Sequence, residues 1–115
     1  MGFYQDKKVL VTGGTGLIGQ PLVEMLIDEG AQVKVASLDH PSRAVEGAEF
    51  TRADLREYDE CLQLCEGQEI AFQLAGVKGS PKMAAERPAS FFVPTIQVSI
   101  NMMEAARCAG VERFL

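Results

Sequence analysis

Residues 11–19 read VTGGTGLIG, which sets Gly13, Gly16 and Gly19 three apart. Glycines at such intervals expose backbone N–H groups that side chains would otherwise cover, and a helix starting there presents its positive end to the same space. The chemistry this suits is capture of a diphosphate by main-chain donors. In that reading Gly13 permits a tight exit from a strand, Gly16 lets a pyrophosphate approach the backbone, and Gly19 lets the helix lie close on the sheet. The plain alternative is a purely structural turn. Position tells against it, because the glycines directly follow an apolar β run and directly precede an amphipathic stretch. The spacing is GxxGxxG rather than GxGxxG, and no Gly-Lys-Ser/Thr follows, so a Walker loop and ATP hydrolysis are disfavoured.

A second group of candidates stands after the second β run: Ser37, Asp39, His40 and Arg43. A carboxylate there holds a ribose 2′-hydroxyl, whereas a cation accepts a 2′-phosphate. Counting about 20 residues on from Gly19 reaches Asp39 and favours NAD. Arg43 in the same cluster could meet a phosphate, which leaves NAD against NADP open. His40 is the only histidine and has no nucleophile near it in sequence, so it reads as a loop residue beside an adenosine pocket rather than a catalytic base.

The elements that must position these residues follow from the hydrophobic pattern. Apolar β runs at 8–12, 32–37, 49–53 and 70–74 alternate with amphipathic stretches, and a fifth run starts at 111–115. Residues 17–29 predict a helix with Ile18, Leu22 and Leu26 on one face and Gly30 at its end. Tyr58, Cys61, Leu62 and Cys65 predict a short helix closed by Gly67. A third helix is predicted from about Thr95, with Ile96, Ile100, Met103 and Ala106 on its core face and Gly110 ending it. Residues 77–88 read as a surface excursion with or without a short helical turn. Pro21 and Pro94 fit poorly: the first falls a turn inside a predicted helix, and the second argues for a break or start near Thr95. Strands alternating with helices imply an α/β fold, a Rossmann-type parallel sheet with helices on both faces. It is expected to be one dinucleotide-binding domain over residues 1–115, incomplete after the start of strand 5.

Composition limits the partners. A 115-residue chain with 47% apolar residues can bury one core, and a net charge of -5 offers no basic field for nucleic acid or an anionic membrane surface. No apolar run approaches the ~20 residues that cross a bilayer, the N-terminus has no signal-peptide core, and a cytoplasmic location is expected. Cys61, Cys65 and Cys108 show neither paired spacing nor an even count, so no disulfide framework or metal site is expected; Cys61 and Cys65, four apart, read as core.

VTGGTGLIG, together with Asp54-Leu55, AFQLAG at 71–76 and EAARCAGVERFL at 104–115, resembles the extended short-chain dehydrogenase/reductase family of nucleotide-sugar epimerases, dehydratases and reductases. The narrower look, from Pro88-Ala89-Ser90-Phe91-Phe92, Asn101 and Ala105-Ala106, is to the GDP-fucose synthase branch. The resemblance implies that Thr15, Gly16, Leu17 and Ile18 line the pyrophosphate, that Asp54 and Leu55 touch the adenine, and that Leu74, Ala75 and Gly76 border the ribose and nicotinamide side. It implies a nucleotide-sugar substrate in the complete protein, and homodimerisation as a family expectation. The chain departs from the family pattern at Gln73, where His is frequent, at Thr95, where Asn is frequent, and at Ser37, the usual acidic position. Such enzymes use a Ser/Thr and a Tyr-x-x-x-Lys pair beyond the fifth strand, with a tyrosinate as general base. Tyr4 and Tyr58 both precede that point, so no catalytic residue is nominated here, and these 115 residues alone are expected to be inactive. A reading of another class is a non-catalytic dinucleotide sensor or interaction module.

Overall fold

The strands form where β-branched and aliphatic residues run together: β1 (Lys8–Thr12), β2 (Gln32–Ser37), β3 (Glu49–Arg52), β4 (Ile70–Gln73) and β5 (Arg113–Phe114). In the computed structural model, which describes residues 2–76 and 81–115, they make one parallel sheet in the order β3-β2-β1-β4-β5. Helices α1 (Gly19–Asp28), α2 (Tyr58–Cys65), α3 (Pro81–Glu86) and α4 (Pro88–Ala109) connect them. This is the Rossmann-type α/β sheet that the pattern predicted.

Side chains alternate across a strand, so each face of the sheet has its own core. Val9, Val11, Val33, Val35 and Ile70 pack with Val23 and Leu26 of α1. On the other face Leu10, Ala36 and Ala71 pack with Cys61, Leu64 and Cys65 of α2 and with Met102 and Ala105 of α4. Cover on both faces is why β1 shows no polar interruption. Leu10 is fully buried at the centre of this arrangement. Leu10→Ala is expected to cost about 3 kcal/mol, the usual range for a leucine truncated in a packed core; urea unfolding of the variant checks it.

Three expectations need correction. The first helix starts at Gly19 rather than at residue 17, so Pro21 is its third residue, where no N–H has an intrahelical partner and proline removes nothing. Ile18 accordingly lies before the helix and is exposed rather than on its core face. The third predicted helix starts not near Thr95 but at Pro88, and Pro94 lies inside it. Pro88 at the first helical position is preset for the turn. Pro94 deprives the Ser90 carbonyl of its N–H partner, but Ser90 is solvent-exposed and the Thr95 hydroxyl donates to the Phe91 carbonyl at 2.9 Å in the same turn.

The core face of α4 also differs. Val98, Met102, Ala105 and Ala106 are buried, whereas Ile96, Ile100 and Met103 are 42%, 59% and 58% exposed. The helix is apolar on two sides, and periodicity cannot choose between them. Packing can, because the two alanines let the backbone approach α2 closely. The predicted surface excursion at 77–88 is met in part by α3; residues 77–80 lie outside the described residues. Among the described residues no helix is long and apolar enough to cross a membrane.

Candidate functional site

The chain enters the sheet at its centre, builds outward through β2 and β3, then returns to the other side of β1 as β4. The loops leaving β1 and β4 therefore run to opposite faces and open a crevice at the carboxyl ends of the strands. A cleft of about 890 Å³ lies there, walled by the exits of β1, β2, β3 and β4 and by Ser90, Pro94 and Val98 of α4. That volume suits a small-molecule or cofactor site. A smaller hollow of about 470 Å³ opens at the opposite ends of the strands, beside Lys8, Gln32, Glu49 and Gln68. Lys8 and Lys34 line it, but it lies away from the N-terminus of α1 and the glycine loop, which open on the larger cleft.

The glycine loop is built by close approaches. Gly13 has φ +70°, and a Cβ there would come within 2.9 Å of the Ala75 amide nitrogen. A Cβ on Gly19 would stand 2.2 Å from the Gly13 carbonyl oxygen. Gly14, to which the sequence pattern assigned no role, is equally constrained, because a Cβ there would meet Val35 Cγ1 at 2.8 Å. Gly16 differs: its nearest such contact is 3.4 Å, so protein packing alone does not demand glycine there. The Gly13 amide donates across to Ala36 O of β2 at 3.0 Å, and the loop bonds internally through the amides of Gly16 (to Gly13 O, 3.1 Å) and Gln20 (to Gly16 O, 3.0 Å). Among the described residues no protein oxygen accepts from the amides of Leu17 and Ile18. Both residues line the cleft at the start of α1, which fits a diphosphate.

At the exit of β2, Thr15 donates to Asp39 Oδ2 at 2.6 Å and lies 3.0 Å from Ser37 Oγ. Since the threonine has one hydroxyl hydrogen, Ser37 donates to it, while Ser37 Oγ accepts from the Asp39 amide at 3.0 Å. This triangle fixes the Asp39 carboxylate on the cleft wall. His40 caps the short 3-10 turn Pro41–Arg43, its Nδ1 accepting from the Ser42 amide at 3.1 Å, a loop role. Arg43 is exposed and, like His40, lies outside the cleft lining. Leu38, between Ser37 and Asp39, does line the cleft and was not signalled by the sequence.

At the exit of β3, Arg56 grips Asp54 through Nε (3.0 Å), Nη2 (2.7 Å) and its own amide (3.0 Å). Asn101 of α4 donates to the carbonyls of Leu55 and Arg56, each at 3.0 Å, and the Asp54 amide donates to Glu60 at 3.1 Å. Both neighbouring helices thus hold the segment that carries Asp54 and Leu55. The role of Arg56 was missed, although its two-residue spacing from Asp54 is the available signal. The hydrogen bonds from Arg56 hold the Asp54 carboxyl below the usual aspartate range, against a smaller opposing effect of burial. A depressed carboxyl stabilises the fold above its unfolded-state pKa, and that contribution disappears as pH falls through the folded value. A carbon-detected titration is expected to place the Asp54 midpoint below that of an ordinary aspartate and Arg56→Ala to raise it; an unchanged midpoint in the variant contradicts the pairing.

Leu74, Ala75 and Gly76, leaving β4, form the remaining wall. Neither tyrosine serves the cleft. Tyr58 is pushed up to about 12, chiefly by its hydrogen bond to Cys108, the reverse of what a general base needs. A Tyr-x-x-x-Lys interval does occur once, from Tyr4 to Lys8, but Tyr4 sits in a turn packed on the α1 face and Lys8 starts β1, at the ends of the strands opposite the cleft. Cys61 and Cys65 are fully buried, and burial pushes each thiol up to about 11, as befits core residues.

The sheet order, the glycine loop and the cleft at the switch point define a Rossmann-type nucleotide-binding domain. The chain belongs to the NAD dependent epimerase/dehydratase family, whose model matches residues 9–115. It is 30% identical over 110 residues to GDP-mannose 3,5-epimerase 1 of Oryza sativa subsp. japonica, a match covering 93% of this chain and 29% of that protein. It is 29% identical over 114 residues to a 3 beta-hydroxysteroid dehydrogenase/Delta 5-->4-isomerase of Mycobacterium tuberculosis, covering 94% of this chain and 30% of the other. The UDP-glucose 4-epimerase of Thermus thermophilus, solved in complex with NAD, superposes with a TM-score of 0.80 at 30% identity, over 93% of this chain and 36% of that one. The chain thus spans about three tenths of the length of the curated relatives it matches.

Proposed function

We propose that this chain forms the NAD-binding part of an enzyme that epimerises, dehydrates or reduces a nucleotide-linked sugar. The observation that carries the reading is the pair of Leu17 and Ile18 amides, which have no protein acceptor among the described residues and line the cleft where α1 begins. They would hold the diphosphate, with Gly16 leaving room for its approach. Asp39, oriented by Thr15 and Ser37, would accept from the adenosine ribose; its negative charge in the cleft, with Arg43 outside it, supports NAD over NADP. Leu55 and the braced Asp54 segment would meet the adenine, and Leu74 to Gly76 would face the nicotinamide half. When bound, the nicotinamide supplies a hydride acceptor and donor. The proton-transfer pair is assigned to no residue of this chain.

The test is calorimetric titration of the protein at its full natural length with NAD, followed by incubation with GDP- and UDP-linked hexoses and chromatography of the products. Saturable NAD binding and conversion of one sugar nucleotide are expected. Failure to bind NAD overturns the proposal, and binding without conversion of any sugar nucleotide favours a sensor instead.

A further inference from the structure

Thr12 and Gln73 are register partners on β1 and β4, at the last position of each strand before the cleft. Thr12 is fully buried, and its hydroxyl donates to Gln73 Oε1. Gln73 Nε2 donates to the Ala75 carbonyl at 2.9 Å, and the Ala75 amide donates back to Thr12 Oγ1 at 3.4 Å. The Leu74 amide reaches the same hydroxyl at 3.2 Å. The bonds close into a ring with one direction throughout: hydroxyl to side-chain amide oxygen, side-chain amide nitrogen to carbonyl, backbone amide to hydroxyl. The Thr12 hydroxyl and the Gln73 side-chain amide each accept and donate, so polarisation runs from the Ala75 amide through both to the Ala75 carbonyl, and a primary amide supplies both polarities at this position without ionising. The ring surrounds the place where Gly13 passes within 2.9 Å, measured from its would-be Cβ, of the Ala75 nitrogen.

From this ring we infer that Gln73 is a positioning residue for the cofactor, acting with Thr12. It clamps the wall formed by Leu74, Ala75 and Gly76 to the strand that carries the glycine loop, so that the two sides of the cleft keep a fixed separation. The inference rests on the dinucleotide reading above and adds a division of labour to it. Gln73 governs the nicotinamide half of the site, whereas the adenosine half depends on Asp39 and the braced Asp54 segment. A glutamate at 73 keeps the acceptor for Thr12 but turns a second oxygen on the Ala75 carbonyl, so it breaks the ring at one bond.

The experiment compares NAD and AMP binding by calorimetry in the full-length protein and in Gln73→Leu, Gln73→Glu, Thr12→Val and Thr12→Ser. Losing one such hydrogen bond changes affinity by about fivefold. Gln73→Leu, Gln73→Glu and Thr12→Val are expected to weaken NAD by about fivefold or more while leaving AMP within twofold, and Thr12→Ser, which keeps the hydroxyl, to retain wild-type NAD affinity. AMP binding doubles as the check on folding, a readout that general destabilisation would move as much as NAD. Unchanged NAD affinity, or equal loss of NAD and AMP across the variants, overturns the inference while leaving the binding reading intact. A wild-type protein that binds AMP and NAD equally tightly overturns it as well, since the nicotinamide wall then contributes nothing. Wild type that binds neither takes down the dinucleotide reading and this inference with it.

Discussion

Gly19→Ala is expected to cost about 3 kcal/mol of stability and to abolish NAD binding, while Gly16→Ala removes binding and leaves stability nearly unchanged. The difference follows from what each added methyl meets. At Gly19 it would stand 2.2 Å from the Gly13 carbonyl oxygen and 2.7 Å from the Gly14 Cα. Both atoms are main chain, so no side-chain rotation relieves the clash; α1 must lift off the sheet, taking its N-terminal donors with it. At Gly16 the nearest contact is 3.4 Å, and the methyl occupies space on the cleft that a diphosphate needs. Urea unfolding and NAD titration of the two variants measure the two effects separately. Equal stability losses at both positions contradict the division between packing glycine and binding glycine.

Asp39→Asn is expected to weaken NAD by tenfold or more, as loss of a charge-assisted hydrogen bond does, and to improve NADP relative to NAD by relieving charge repulsion with a 2′-phosphate. The substitution preserves shape and the capacity to accept from Thr15, so the triangle with Ser37 can remain. Arg43→Ala serves as the counterpart: its guanidinium lies outside the cleft, and the preference between the two cofactors should not move. Paired titrations with NAD and NADP decide the matter, and a cofactor ratio unaltered by Asp39→Asn contradicts the assignment. Ser37 Oγ accepts from the Asp39 amide, so a change at Ser37 is expected to disturb the same carboxylate.

Much of the fold was legible because one physical rule governs it. A parallel sheet covered on both faces needs near-continuous apolar strands, and β1 and the heart of β4 announce themselves that way, while β2 is marked by Val33 and Val35. The glycine loop was legible because its spacing lies within nine residues, although the Ala75 contact that constrains Gly13 does not. What escaped depended on packing. The choice between two apolar stripes on α4 is made by contact with α2, which sequence periodicity does not contain. Pro94 reads as a helix breaker until Ser90, whose carbonyl it leaves without an N–H, is found to be exposed. Gly14 drew no role because its reason is Val35, on the neighbouring strand. The Arg56 clasp on Asp54 was readable in principle from spacing, but the double donation by Asn101, 45 and 46 residues away from its partners, was not. Arg43 was nominated on sequence proximity to Asp39, and the 3-10 turn capped by His40 carries it elsewhere.

The account stands on main-chain donors at the mouth of α1 holding a diphosphate. Its most direct test is amide chemical-shift mapping of the protein during NAD titration. The expected result is saturable shifts centred on Leu17 and Ile18, with further changes at Asp39 and at Leu74 to Gly76. Saturation accompanied by shifts confined to the opposite ends of the strands, around Lys8, Gln32 and Gln68, or no shift at any NAD concentration, would contradict it.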